Sequence, residues 1–138
     1  MALRELTPQL RAFLEGMKVP CVLSTLRKDG APITSATWFG FWGESIIVST
    51  PATRNKARNV RNDPRLSFIV DTRERPYRGV AIEGTGELVG DTDGALLQLI
   101  VERYLGPQLP EDLRERLAAR GERVIVKLVP ERVRLWGF

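Results

Sequence analysis

Short β-rich segments recur along most of this chain and are cut off from one another by turn residues about every 10 positions, a rhythm that points to a small antiparallel barrel. Residues 21–26 are apolar and β-branched, Asp29-Gly30 is a hairpin turn signal, and residues 32–41 are rich in Thr, Ile and aromatics. Gly43-Glu44 gives a second turn before Ile46-Ile47-Val48-Ser49, so the spacing predicts a three-stranded meander ending at Thr50. Residues 66–70 resume strand character after Asp63-Pro64, residues 72–76 read as a loop, and residues 80–89 read as one long strand bent at its glycines. Residues 123–128 and 132–136, joined by a turn at Pro130, predict a closing hairpin.

Helical periodicity interrupts this pattern in a few places. Thr7-Pro8 is an N-cap with proline at the first helical position, followed by Leu10, Phe13, Leu14 and Met17 and stopped at Gly16. Thr53 caps a second predicted helix that runs to about Asn62, where Asp63-Pro64 ends it. Ala95, Leu96, Leu99, Ile100, Arg103 and Tyr104 mark a third, and residues 113–120 a fourth. The expected fold is mainly β with short helices, a six- to seven-stranded antiparallel barrel with helical decoration. At 138 residues, with no repeat or linker, the chain reads as a single domain over 1–138.

Composition bounds the chemistry by exclusion. The chain has no histidine and one cysteine, Cys21. That removes Ser-His and Cys-His nucleophilic arrangements, imidazole ligands for zinc or haem, and any internal disulfide. Acidic residues such as Asp29, Asp63, Asp71 and Asp91 fall beside Gly, Pro or Thr in turn-like contexts, so a carboxylate pair is a poor candidate for acid–base work. A bound organic cofactor is the better carrier of any reaction. The longest apolar runs, residues 45–48 and 124–129, are too short to span a bilayer, and the N-terminus carries an acid early, so a cytoplasmic location is expected.

The net charge of +4 suits an anionic ligand, and its distribution says where. Arg54, Lys56, Arg58, Arg61 and Arg65 lie within twelve positions that contain one acid, Asp63. They follow Ser49-Thr50 at a strand end and open a helix. Hydroxyls, free backbone N–H groups and the positive helix end make a natural phosphate site there, to which Arg54 and Lys56 add full charges. The alternative is a solvated helix face, because Arg54, Arg58, Arg61 and Arg65 are spaced 4, 3 and 4 apart. Arg54 and Lys56 converge only if the first helical turn stays loop-like.

The order Val22-Leu23-Ser24-Thr25-Leu26, Asp29-Gly30-Ala31-Pro32, Ser35-Ala36-Thr37-Trp38-Phe39, then Arg54-x-Lys56-x-Arg58-Asn59 and Asp63-Pro64-Arg65, resembles the flavin/deazaflavin oxidoreductase branch of the pyridoxamine-phosphate-oxidase-like, FMN-binding split β-barrels. The resemblance runs from about Val19 to Glu87 and returns in residues 124–136. It implies a phosphate-binding segment at Ser49, Thr50, Arg54 and Lys56, with Arg58 and Asn59 at matching positions, and a ring-contacting strand from Ser35 through Thr37 and Trp38 to Phe39. Tyr77 and Arg78 match a region near the cofactor in relatives. Trp38, Phe39, Trp42 and Trp136 offer flat surfaces for a tricyclic ring, although each also suits a core; Trp38 lies in the motif itself.

The resemblance also implies a homodimer and hydride transfer between a bound ring and an electron-poor double bond. The Arg-x-Lys-x-Arg-Asn segment is closer to users of the deazaflavin coenzyme F420, with FMN as the alternative. One departure matters. Pyridoxamine-phosphate oxidases hold their substrate with an Arg-x-His pair near the C-terminus, whereas this chain reads Arg132-Val133-Arg134-Leu135-Trp136. Pyridoxamine phosphate and haem are therefore not the expected ligands. Two other classes remain open: a non-catalytic flavin-binding module, and a nucleic-acid binder using the basic helix, which lacks any helix-turn-helix, zinc or RNA-recognition motif.

Overall fold

The computed structural model describes residues 2–3, 6–118 and 121–138. Its strands are β1 (Ala2–Leu3), β2 (Cys21–Leu26), β3 (Pro32–Thr37), β4 (Gly40–Trp42), β5 (Ser45–Pro51), β6 (Arg65–Asp71), β7 (Gly79–Gly90) and β8 (Arg123–Trp136). Its helices are α1 (Pro8–Gly16), α2 (Asn55–Asn62), α3 (Ala95–Leu105) and α4 (Glu111–Ala118). Seven strands form one antiparallel, curled sheet in the order β3-β2-β6-β7-β8-β5-β4, and β1 pairs with β8. The two ends of that path, β3 and β4, are consecutive in sequence, so the split in the barrel lies where Trp38 and Phe39 connect them.

Alternation along the strands builds the core. Cys21 and Leu23 of β2, Leu66, Phe68 and Val70 of β6, and Val80 and Ile82 of β7 turn inward, and α1 plugs Leu10 and Leu14 against them. Thr7 caps α1 as predicted, its hydroxyl oxygen accepting from Leu10 N–H at 3.3 Å. The opposite face of β5 and β8 carries a second cluster, Ile47 and Ile125 under Ile100 of α3. β5 is thus buried on both faces, which explains the unbroken run Ile46-Ile47-Val48.

The structure corrects several expectations. The strand predicted over 32–41 is two strands: β3 pairs with β2 and β4 with β5, as the meander requires, but the middle strand is broken between them and β5 pairs on its other side with β8. The chain breaks at Trp38-Phe39 because it passes there from one sheet edge to the other, with Phe39 entering the core. The closing hairpin is instead one continuous strand, β8. Pro130 is tolerated because it sits at a bulge: Gly84 faces Pro130 while Glu83 faces Arg132, leaving an extra residue where the ladder is irregular. Gly84 makes that bulge sterically allowed, since a Cβ there would lie 2.1 Å from the Val129 carbonyl oxygen.

Helix α2 starts later than predicted. Arg54, not Thr53, is the capping residue, because Arg54 N–H donates to Pro51 C=O at 3.0 Å and draws residues 51–54 into a turn. In α3, Leu97, Ile100 and Val101 are buried and Leu99 is exposed, reversing Leu99 of the predicted face. The run offers two overlapping helical faces, and cover from the sheet and from α4 selects this one. The fourth helix begins at Glu111, and residues 119–120 of its predicted span lie outside the described residues. Among the described residues no helix is long and apolar enough to cross a membrane.

Candidate functional site

The end of β5, the start of α2 and the start of β8 meet beside the split. Ser49 and Thr50, adjacent on a strand, point to opposite faces. Thr50 is buried inside the barrel, whereas Ser49 Oγ lies on the outer face and accepts from Arg123 Nε at 3.1 Å. Arg123 is 8% exposed, a buried cation at the start of β8. On the next element Arg54 is extended and exposed, and Lys56 is half-buried in the first turn of α2. Burial pulls the Lys56 ammonium below its ordinary 10.5, and the Arg54 and Arg123 guanidiniums push it the same way. Three cations thus converge on one strand end and helix start.

Across the split, β3 supplies the other wall. Ser35 and Thr37 turn toward the same face as their partners Leu23 and Cys21. Thr37, Trp38, Ser49 and Arg123 line one cavity of about 290 Å³, roofed by α3 and α4. Trp38 is 37% exposed, with its indole stacked on Tyr104 of α3 at 4.5 Å and 11°. Tyr104 fixes that platform. Its hydroxyl donates to Val19 C=O at 3.0 Å and accepts from Phe39 N–H at 3.3 Å, and burial pushes the phenol up so that it stays protonated. Below it Arg103 lies over Phe39 at 4.3 Å and donates through Nη2 to Leu14 C=O and Met17 C=O, tying α3 to α1.

The remaining sequence candidates go elsewhere. Asn59 uses its amide to donate to Thr25 Oγ1 at 3.0 Å, holding α2 on β2, and Arg58 is exposed on the outward side of α2. Tyr77 is 56% exposed in the loop between β6 and β7, under Arg75 and away from the cavity lining. The arginine stripe does not hold as one helix face: Arg65 belongs to β6 and pairs with Asp63 at 2.7 Å, and Arg61 donates to Ala52 C=O.

Two contributors lie outside the sequence-derived site candidates. Arg123 directly precedes the apolar run Val124-Ile125-Val126, a position that does not by itself mark it as part of a site. Asp91, expected in a turn, is 3% exposed and receives the Leu96 and Leu97 N–H groups at 3.0 and 2.9 Å, anchoring the N-terminus of α3. Gly94, at φ 73°, precedes that helix without a capping side chain, and Asp93, whose Oδ1 accepts from Ala95 N–H at 3.1 Å, shares the work with Asp91.

Cys21 lies fully buried at the inner edge of the site. Burial pushes its thiol from 9.0 up to about 12. Iodoacetamide at pH 8 should therefore label the native chain negligibly and the urea-unfolded chain fully; labelling at equal rates would place the thiol outside the core. Above pH 9 the unfolded thiol ionises first, so this group's contribution to stability should fall from about pH 9 to about pH 12.

Comparison with known proteins meets this geometry. The sequence model for pyridoxamine 5'-phosphate oxidase matches residues 6–137. The chain belongs to that family. Its fold binds flavins, and the family places the chain among oxidoreductases. Among solved structures, a protein described as an F420 reductase is 30% identical, with a TM-score of 0.73 over 88% of this chain and 94% of that one. The conserved hypothetical protein Rv2991 from Mycobacterium tuberculosis is 29% identical, with a TM-score of 0.80 over 96% of this chain and 86% of that one. HutZ, a heme storage protein from Vibrio cholerae, is 19% identical with a TM-score of 0.71, covering 97% of this chain and 96% of that one, a likeness of fold alone.

Proposed function

We propose that this chain is an oxidoreductase that exchanges hydride between bound coenzyme F420 and a small organic acceptor. The observation that carries this reading is the cation cluster at the split: Lys56, half-buried and electrostatically strained by Arg54 and Arg123, next to a slot lined by Thr37, Trp38 and Ser49. A desolvated lysine flanked by two arginines is a site prepared for an anion, and a phosphate-bearing ring cofactor fits the donor set. Likeness to the F420 reductase, together with the Arg54-x-Lys56-x-Arg58-Asn59 segment, favours the deazaflavin over FMN.

In this reading Arg54 and Lys56 clamp the phosphate, Ser49 and Arg123 close its far side, and Ser35, Thr37 and Trp38 border the ring. When bound, such a ring supplies two-electron hydride chemistry. The protein orients and shields: Trp38 is held flat by Tyr104, and the apolar roof of α3 and α4 excludes water. No side chain serves as nucleophile, in keeping with a chain without histidine. The divided roles of Arg54, Arg61 and Arg65 weigh against the basic segment as a nucleic-acid surface.

Side-by-side titration of the apo-protein with F420 and with FMN, followed by fluorescence, tests the reading. Micromolar or tighter binding of F420 with weaker FMN is expected. The reverse preference makes the chain an FMN protein, and failure of both ends the redox reading. Binding without reduction of any artificial acceptor leaves a flavin-binding module.

The working unit is a homodimer in the cytoplasm. Val22 and Ile69 face each other across β2 and β6 on the sheet's outer side, each 37% exposed, and Ala36 and Ala81 extend the stripe to β3 and β7. Ile69→Lys would set like charges against each other across a two-fold interface. Sedimentation equilibrium should give twice the chain mass for the wild type and the single-chain mass for the variant. A wild type that stays monomeric at tens of micromolar removes the dimer.

A further inference from the structure

We propose that Arg61 is a positioning residue for the anion clamp: it fastens the turn between β5 and α2, and through that turn sets how Arg54, Lys56 and the first N–H groups of α2 face the slot. This rests on the reading of that slot as the cofactor site. Arg54 sits at the cap position of α2, and no side chain there accepts from the N–H groups of the first helical turn. An uncapped helix start suits an anion. It also leaves the turn that aims it to be held by something other than a cap, and donors that meet a ligand work only within about 0.5 Å of the binding geometry.

Two hydrogen bonds tie Ala52, within that turn, to its surroundings. Its N–H donates to Glu122 C=O at 3.0 Å, and its C=O accepts from Arg61 Nη1 at 2.9 Å. Arg61 stands in the last turn of α2, nine residues along the chain, so its side chain reaches back over the helix and closes helix and turn into one unit. The fastening passes directly to the clamp: Arg54 N–H donates to Pro51 C=O at 3.0 Å, and Arg54 C=O accepts from Arg58 N–H at 3.1 Å. Arg58 is the counter-example on the same helix. It is exposed, and its side chain makes no hydrogen bond or ion pair among the described residues. α2 holds Lys56, Arg58 and Arg61 and no acid, so positive charge alone does not distinguish Arg61 from Arg58; the bond to Ala52 does. That bond is exposed and adds little to overall stability, so what it fixes is a direction rather than the fold.

Titration of the apo-protein with F420, FMN and inorganic pyrophosphate, the last a probe of the clamp that needs no ring, tests this. Arg61→Met should weaken binding about three- to tenfold, the range for one hydrogen bond, and leave the apo melting temperature unchanged. Arg61→Lys, which keeps a donor on a long stem, should stay within about twofold of the wild type. Arg58→Met removes the same charge without the fastening. Raising salt from about 0.1 M to about 1 M shortens the screening length from about 10 Å to about 3 Å. The ratio of wild-type to variant affinity should then fall to unity for Arg58→Met and persist for Arg61→Met. Unchanged affinity or a lowered melting temperature in Arg61→Met, a loss that salt abolishes as it does for Arg58→Met, or a lysine that binds no better than methionine overturns the proposal. Cofactor binding that ignores Arg61 overturns this proposal alone. Pyrophosphate binding that depends on Arg61, with neither F420 nor FMN bound, sinks the redox reading and keeps the positioning role, whereas no binding of any of the three sinks both.

Discussion

Phe39→Ala should lower the unfolding free energy by about 3–5 kcal/mol, the range for removing a fully buried aromatic ring. Phe39 is 0% exposed, and its ring meets Phe68 edge-on at 5.3 Å, Phe41 at 6.0 Å and Tyr104 at 6.4 Å, with the Arg103 guanidinium at 4.3 Å. Those partners come from β6, β4 and α3, so one side chain joins both sides of the split to the helix that roofs the cavity. Truncation leaves a void and takes away the aromatic surface that covers the Arg103 Nε and Nη1 atoms, which have no hydrogen-bond partner among the described residues. Urea unfolding should show a lower midpoint at an unchanged slope. A loss below about 1 kcal/mol would mean that the split closes without this ring. Trp38→Ala, next in sequence but 37% exposed, should cost much less stability and act mainly on ligand binding.

The same pair of residues shows where sequence reading succeeds and where it stops. Period-two alternation and turn chemistry are local, so the strands around Cys21, Leu66 and Val80, the Asp29-Gly30 hairpin and the Thr7-capped helix could all be read directly. The switch at Trp38-Phe39 is not local. Nothing within residues 32–41 distinguishes one long strand from two that sit on opposite edges of a curled sheet; the reason lies in where β2 and β5 find their partners. Pro130 misled for a related cause. A proline in a β run ordinarily signals a turn, and only the bulge opposite Gly84 makes it compatible with a continuous strand.

For the site, the basic segment and the β3 motif were legible because their residue types are unusual for their positions. Arg123 was not, because its closeness to Lys56 and Ser49 depends on β8 pairing with β5 across more than 70 residues. Asn59 and Thr25 illustrate the converse. Asn59 belongs to the recognised segment, yet in the fold its amide holds the helix on the strand. A motif identifies residues that matter together without separating those that touch a ligand from those that hold the ones that do.

Lys56→Ala and Arg54→Ala should each weaken cofactor binding by about 1–3 kcal/mol, roughly 5- to 150-fold, as expected for loss of a charge-assisted hydrogen bond. The two should not be equal. Arg54 is exposed, where solvent and salt screen its charge, so its variant belongs at the low end and should lose its effect as ionic strength rises. Lys56 is half-buried and its charge is disfavoured by burial and by Arg54 and Arg123, so a bound anion relieves a penalty as well as gaining a contact. Its folded pKa is lowered, so the penalty is present at neutral pH and disappears as pH rises through the folded value toward 10.5. Anion affinity should fall over that same window, because the ammonium that holds the ligand is lost. Lys56→Met should therefore leave the apo-protein's melting temperature at neutral pH unchanged or raised while reducing affinity, and Arg54→Met should reduce affinity with little change in melting. A lower apo melting temperature for Lys56→Met would make the lysine a structural contact and move the phosphate site away from the start of α2.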